Sequence, residues 1–281
     1  MTERVLTLGY SPCPNDTFIF AAIADGRVAA GGERPAPFLA DVEVLNRKAR
    51  GGELDVTKIS CHALLHCLDR YWMLRAGGAL GRGCGPLIVA REPVSIDALS
   101  DKSIAIPGRL TTAHLLLQLL GSHHGRRPEL PFEQIMPAVA AGRVAAGLVI
   151  HEGRFTYRAH GLHLVMDLGA WWEARTGLPL PLGCIVIRRE LGREVAARVE
   201  AAIRASLLAA RAAPLEAWPY IRAHAQELED TVIQRHIDTF VNDYSLDLGT
   251  DGERALRAVL ATAADQERIA LPDGAIFWDE T

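Results

Sequence analysis

The sequence has no excess of basic residues: 30 Lys and Arg stand against 34 Asp and Glu, a formal charge of −4. The cations are scattered rather than striped along one face, so nothing supplies the field that a nucleic-acid backbone requires. It also lacks an uncharged apolar run of about 18 residues, which excludes a membrane-spanning helix. The apolar stretch from Val5 to Tyr10 is broken at once by Pro12, Pro14, Asn15 and Asp16, and is too short for a signal peptide. Five cysteines, Cys13, Cys61, Cys67, Cys84 and Cys184, are odd in number and widely spread. That pattern fits reduced thiols rather than a disulfide framework, and the expected location is the cytoplasm. A Rossmann fingerprint, a P-loop, a nucleophile elbow, an HExxH and paired CxxC motifs are all missing.

What is present points to an ordinary folded chain. Hydrophobic residues make up 49% and charged residues 23% of 281 positions, enough for two lobes of common size. The first half alternates β-type runs with helical patterns, which predicts βα units and a mostly parallel sheet. Val5–Tyr10, Leu54–Ile59, Tyr71–Arg75, Leu87–Ala90, Ser103–Ile106 and Ala145–Ile150 read as strands, with helices over Thr17–Ala24, Cys61–Asp69 and Thr112–Leu120. From Glu194 onward the three- and four-residue apolar spacing is helical, in Val195–Leu208 and again in Ala255–Ala263. These helices are expected to cover the first lobe.

Two segments have the composition of lobe crossings: the glycine-rich stretch Gly77 to Pro86, and Leu178 to Ile187. Residues 52–59 and 142–149 echo one another, each running from a helix-ending glycine into a β-type segment. Two related lobes joined by two crossings describe an α/β, two-lobed fold of the type II periplasmic-binding-protein kind, with a ligand cleft between the lobes. The expected division is residues 1–88 with 186–281, and residues 89–185.

Four strand-to-helix turns are rich in hydrogen-bond donors, and ligands of open α/β sheets collect beyond the carboxyl ends of the strands. In the first, Ser11 to Thr17, two prolines stiffen the backbone while Asn15 or Asp16 can cap the following helix, and capping alone would account for any one of these residues as well as ligand contact by Ser11 or Asn15 would. The second carries Lys58, Ile59 and Ser60, offering a positive charge and further donors to a carboxylate. The third, Pro107 to Ala113, combines a glycine, the hydroxyls of Thr111 and Thr112, and the free N–H groups of a new helix, as an anion cradle would. The fourth places His151 directly after a β-type run, where an imidazole suits proton abstraction. His62 and His66 share a helical face, but no accompanying ligand motif supports a metal. Trp171-Trp172 reads as core packing.

Taken together, ten segments resemble the 1,4-dihydroxy-6-naphthoate synthases of the futalosine route to menaquinone. They are residues 11–18, 41–46, 57–60, 77–83, 107–112, 150–152, 168–173, 176–183, 224–228 and 242–246, in order along most of the chain. The resemblance implies a carbon–carbon lyase. It would aromatise the bicyclic part of cyclic dehypoxanthine futalosine and release a three-carbon sugar-derived fragment. It makes His151 the proton acceptor and assigns substrate binding to Lys58, Ile59, Ser60, Thr111 and Thr112. A small carboxylate is the implied partner, and no metal or organic cofactor is implied. Two departures from the family pattern stand out: Gly153 where a serine is usual, and Cys61-His62 where an aromatic is common. The alternatives are a chorismate dehydratase-like enzyme of the same pathway and a non-catalytic solute-binding protein for small anions. The Trp-Trp and Ile-His-Glu segments argue against the first, and the missing export signal against the second.

Overall fold

A computed structural model describes residues 4–30, 32–121, 123–226, 229–271 and 274–280. The chain runs β1 (Val5–Tyr10), α1 (Pro14–Ala24), β2 (Arg34–Leu39), α2 (Val42–Gly51), β3 (Val56–Ser60), α3 (Cys61–Leu64), β4 (Tyr71–Met73) and β5 (Ala79–Gly81). A second group follows: β6 (Leu87–Ala90), β7 (Ile104–Ala105), α4 (Thr112–Leu119), α5 (Phe132–Ala140), β8 (Ala146–Val149), α6 (Gly153–Thr156), β9 (His163–Asp167) and α7 (Leu168–Thr176). It then returns through β10 (Leu180–Arg188) to α8 (Arg193–Ala212), α9 (Pro214–His224), α10 (Asp230–Phe240), α11 (Asp243–Leu246) and α12 (Gly249–Glu267). The motif at 224–228 ends on two residues outside the described set.

The strands form two sheets. The first has the order β2-β1-β3-β10-β4, with β5 added on β10, and the second has the order β7-β8-β6-β9. The expected mostly parallel arrangement is corrected. β1 lies parallel to β2 and β3, but β10 is antiparallel to β3, β4 and β5, and in the second sheet β6 is antiparallel to β8 and β9. The reason is the direction of return. β10 enters the first sheet from the side of the second, with Gly183 opposite Ser60 at the end of β3, and runs away from it.

β2 goes unread in the sequence because Pro35 and Pro37 look like strand breakers. Yet β2 is an edge strand, and the Arg34 N–H donates inward to the Arg4 carbonyl, so residues of the same parity pair with β1. Pro35 and Pro37 therefore turn their missing N–H groups to the open edge, where proline also discourages pairing with other strands.

The helices bury apolar stripes against these sheets. α8, α9 and α10 pack on α1, with Val199, Ile203 and Leu207 of α8 in one core with Phe18 and Ile19. α12 departs from the expectation that all C-terminal helices cover the first lobe: it packs on α3 and β10 and also on α4, and one continuous core holds Val259, Leu64 and Leu116. The glycine-rich crossing has a steric cause at Gly85, where a Cβ would lie 2.2 Å from Gly169 Cα at the start of α7. None of the described helices is long and apolar enough to cross a membrane.

Candidate active site

The four donor-rich turns converge. Ser11, Asn15, Lys58, Ile59, Ser60, Thr111, Thr112 and His151 all line one cavity with about 690 Å³ of empty space including its mouth. Strands β1 and β3 of the first sheet deliver their turns from one side, and β7 and β8 of the second from the other. Asp16, Arg154 and Phe240 share the same walls.

On the first wall the polar groups satisfy one another. Lys58 Nζ donates to Asp16 Oδ1 at 2.7 Å and to the Gly77 carbonyl at 2.9 Å, with both side chains almost wholly buried. The other Asp16 oxygen accepts from the Ser11 N–H at 3.1 Å and hydroxyl at 2.7 Å, and Asn15 Nδ2 donates to Oδ1 at 2.9 Å. The Asn15 carbonyl oxygen faces His236 Nε2 at 2.9 Å, so that nitrogen carries the proton. Ser60 is held by Asn46, whose side chain accepts from the Ser60 N–H at 2.8 Å and donates to its hydroxyl at 3.1 Å. Lys58 is thus a paired ammonium rather than the lone charge that the sequence suggests.

The opposite wall is different. Thr111 caps α4, accepting from the His114 N–H at 3.2 Å and donating to the Gly108 carbonyl at 2.7 Å. The Thr112 hydroxyl donates to the Leu182 carbonyl at 2.9 Å. Both hydroxyls, which the sequence offers to a ligand, are therefore engaged in building the turn. Among the described residues no acceptor meets the N–H groups of Thr112 and Ala113, so the anion-binding capacity of this turn lies in its backbone.

His151 stands where the sequence places it, just beyond β8, half-buried in the cavity wall. Its φ of 54° is left-handed, uncommon for a residue with a Cβ and costing about 1–3 kcal/mol. The ring is held edge-on by Phe132, with centroids 4.9 Å apart, and lies nearly parallel to the His236 ring at 6.1 Å. Its Nε2 is buried without a hydrogen-bond partner among the described residues. Burial lowers its pKa from the ordinary 6.5 to about 4; the Asp16 charge opposes this shift and Lys58 reinforces it. The imidazole is therefore neutral at pH 7 and holds a lone pair ready to accept a proton.

Sequence reading misses three members. His236 reaches the site from α10, where Ile233, Ile237 and Phe240 complete a buried stripe. A histidine inside an otherwise apolar i, i+3, i+4, i+7 pattern was the available signal. Burial drives its pKa well below 6.5, and Glu152 Oε2 lies 3.6 Å from its Nδ1. Asp16 was read only as a capping residue. Arg154 is held by Asp167 Oδ2 at 2.7 Å and the Gly85 carbonyl at 2.6 Å. Trp172 is fully buried, donating to the Pro179 carbonyl at 3.2 Å, in keeping with core packing. Gly153 lines a neighbouring cavity instead.

Contacts between the two walls hold the cleft closed. Glu43 of α2 accepts from the Leu110 N–H at 3.2 Å, and Arg47 pairs with Glu129.

Two sheets closing over one cavity, lined by a neutral imidazole and free helix N-terminal donors, define a two-lobed protein of the periplasmic-binding-protein-like fold. The alkanesulfonate-binding protein of Xanthomonas axonopodis pv. citri shares that architecture, with a TM-score of 0.71 at 14% identity over 97% of this chain and 96% of that one. The profile of the menaquinone biosynthesis family matches residues 6–265, and the chain belongs to that family. A 1,4-dihydroxy-6-naphthoate synthase of Thermus thermophilus is 54% identical over 264 residues, 92% of this chain and 94% of the relative. One of Streptomyces coelicolor is 45% identical over 285 residues, 99% and 100% of the two chains. A solved structure from Archaeoglobus fulgidus superposes with a TM-score of 0.88 at 38% identity, covering 95% of this chain and 99% of that one.

Proposed function

We propose that the chain is a cytoplasmic carbon–carbon lyase that converts cyclic dehypoxanthine futalosine to 1,4-dihydroxy-6-naphthoate in menaquinone biosynthesis. The single observation that carries the chemistry is the neutral His151 imidazole, its Nε2 without a partner among the described residues, on the same cavity wall as the free N–H groups of Thr112 and Ala113. His151 is the proton acceptor. Proton removal supplies the electron pair that aromatises the bicyclic system as the bond to the three-carbon fragment breaks; the pair of that bond leaves on the fragment, which takes the proton back from the His151 imidazolium. The substrate carboxylate sits at the α4 N-terminus, while Lys58, Ile59, Ser60, Ser11 and Asn15 shape and polarise the facing wall. No metal or organic cofactor has a part in this reading. Residues 1–88 with 186–281 form one lobe and 89–185 the other, boundaries that fall inside β6 and β10.

The test is turnover by the purified protein, followed by chromatography, with chorismate in a parallel assay. Conversion of cyclic dehypoxanthine futalosine is expected, with His151→Ala lowering turnover roughly 100-fold or more while circular dichroism stays native. Undiminished turnover by the variant removes the assigned base. Conversion of chorismate instead makes the protein a dehydratase. Bound but unchanged ligand makes it a carrier.

A further inference from the structure

The His62–His66 pair that the sequence reading sets aside acquires a third member in the fold. Glu267, the last residue of α12, brings its carboxylate between the two rings: Oε1 lies 2.5 Å from His62 Nε2 and Oε2 lies 3.1 Å from His66 Nε2. All three ligand atoms fall within 4.8 Å of one another. The cluster lies outside the cavity lining, on α3 and the turn that follows it.

From this geometry we propose that His62, His66 and Glu267 form a divalent transition-metal site of the zinc class, separate from the active site.

Three features carry it. The first is tautomer. His62 Nδ1 lies 3.3 Å from the Thr111 carbonyl, which only accepts, so Nδ1 bears a proton and Nε2, the nitrogen facing the carboxylate, is the one placed to bind a metal. A divalent ion bound by both atoms would take the place of the proton that otherwise joins them, with the Glu267 side chain drawing back to admit it. A donor bond from the far ring nitrogen to a carbonyl is also the usual second interaction of a metal-binding histidine. The second is the His66 Nε2 atom, which is buried and makes no hydrogen bond among the described residues although it faces Glu267. The third is the helix end. A carboxylate at a helix C-terminus has the wrong sign for the dipole, and a bound divalent ion reverses that.

Two imidazoles and one carboxylate suit zinc, with bonds of about 2.0–2.2 Å and water in the fourth position. His62 is buried and supplies the fixed ligand. His66 and Glu267 are each 23% exposed and give the ion access and the side-chain freedom to close on it. The ion would tie α3 to the end of α12 directly behind the α4 turn, because the His62 N–H also donates to Thr112 Oγ1 at 3.3 Å. Its role is structural, and it takes no part in the proton transfer proposed for His151.

The test is Zn²⁺ titrated calorimetrically into the chelator-stripped chain, alongside His66→Gln and Glu267→Gln, with circular dichroism in chelator confirming that each folds. One equivalent per wild-type chain is expected at micromolar affinity or tighter, weakened at least 50-fold in each variant, with Co²⁺ giving the visible spectrum of nitrogen and oxygen ligation. Saturating Zn²⁺ should raise the wild-type melting temperature by about 5 °C and leave the variants unchanged. Substoichiometric binding, or wild-type affinity retained in either folded variant, overturns the site.

Discussion

The two walls of the cavity are built from similar turns and end in opposite electrostatic states. On the first-sheet side, Ser11, Asn15, Asp16 and Lys58 saturate one another, and His236 closes the chain of hydrogen bonds. On the second-sheet side, the threonine hydroxyls are tied into the backbone, while His151 Nε2 and the N–H groups of Thr112 and Ala113 have no partner among the described residues. Buried polar groups without partners are costly, so a wall that keeps them is arranged around something other than its own stability. The saturated wall gives a nearly neutral floor, and the unsaturated wall is the one that, in the proposed function, meets the ligand.

That contrast is sharpest for the buried ion pair. Removing one partner of such a pair strands the other charge, so Asp16→Ala is expected to destabilise the protein by about 3–5 kcal/mol in urea unfolding. The double variant Asp16→Ala with Lys58→Met should recover a large part of that loss, because no stranded ammonium remains. If Asp16→Ala costs no more than Ser11→Ala, the first wall is not the coupled network described here.

Acid should act mainly through the histidines. A histidine whose folded pKa is lowered binds its proton more readily when unfolded, so its contribution is complete above the ordinary value of 6.5 and is lost as pH falls toward the folded value. For His151 the window runs from 6.5 down to about 4, and the loss is at most roughly 3 kcal/mol. His236, also lowered by burial, adds in the same direction. Urea midpoints between pH 8 and pH 4 check this, and His151→Phe should flatten the curve. A curve as steep in the variant as in the wild type would assign the acid sensitivity elsewhere.

How much of this was legible in the sequence follows from what each residue's signal depends on. The turns after β1, β3 and β8 and the start of α4 were readable because strand ends, prolines, glycines and N-caps are local. Thr111 was readable as a cap and His151 as a strand-end residue for the same reason. β2 was hidden because prolines read as breakers until the strand is known to lie at an edge. His236 and Glu267 were hidden because α10 and α12 reach their partners only through tertiary packing. The engagement of Lys58 by Asp16 was likewise invisible, since the spacing between them says nothing about which strand ends meet.

Smaller effects refine the second wall. Thr111→Ala removes the α4 cap and should cost about 0.5–2 kcal/mol. Because the cap orders the backbone donors rather than touching the reacting proton, KM for the carboxylate substrate should rise several-fold while kcat changes less. A fall in kcat alone would place Thr111 in the chemical step.

The smallest expected effect lies at the rim, where Arg47 and Glu129 bridge the two walls in solvent. With the Arg47 side chain 60% exposed and Glu129 28% exposed, screening and side-chain entropy leave little net attraction. Arg47→Ala should therefore shift stability by less than about 0.5 kcal/mol. Buried Glu43 bonds the Leu110 N–H beneath that rim, and the same physics predicts a larger cost for Glu43→Ala, which strands a buried backbone donor. Equal losses in the two variants would mean that the cleft is held at its exposed edge. A larger loss for Glu43→Ala would place the clasp inside, next to the turn that carries the free amides.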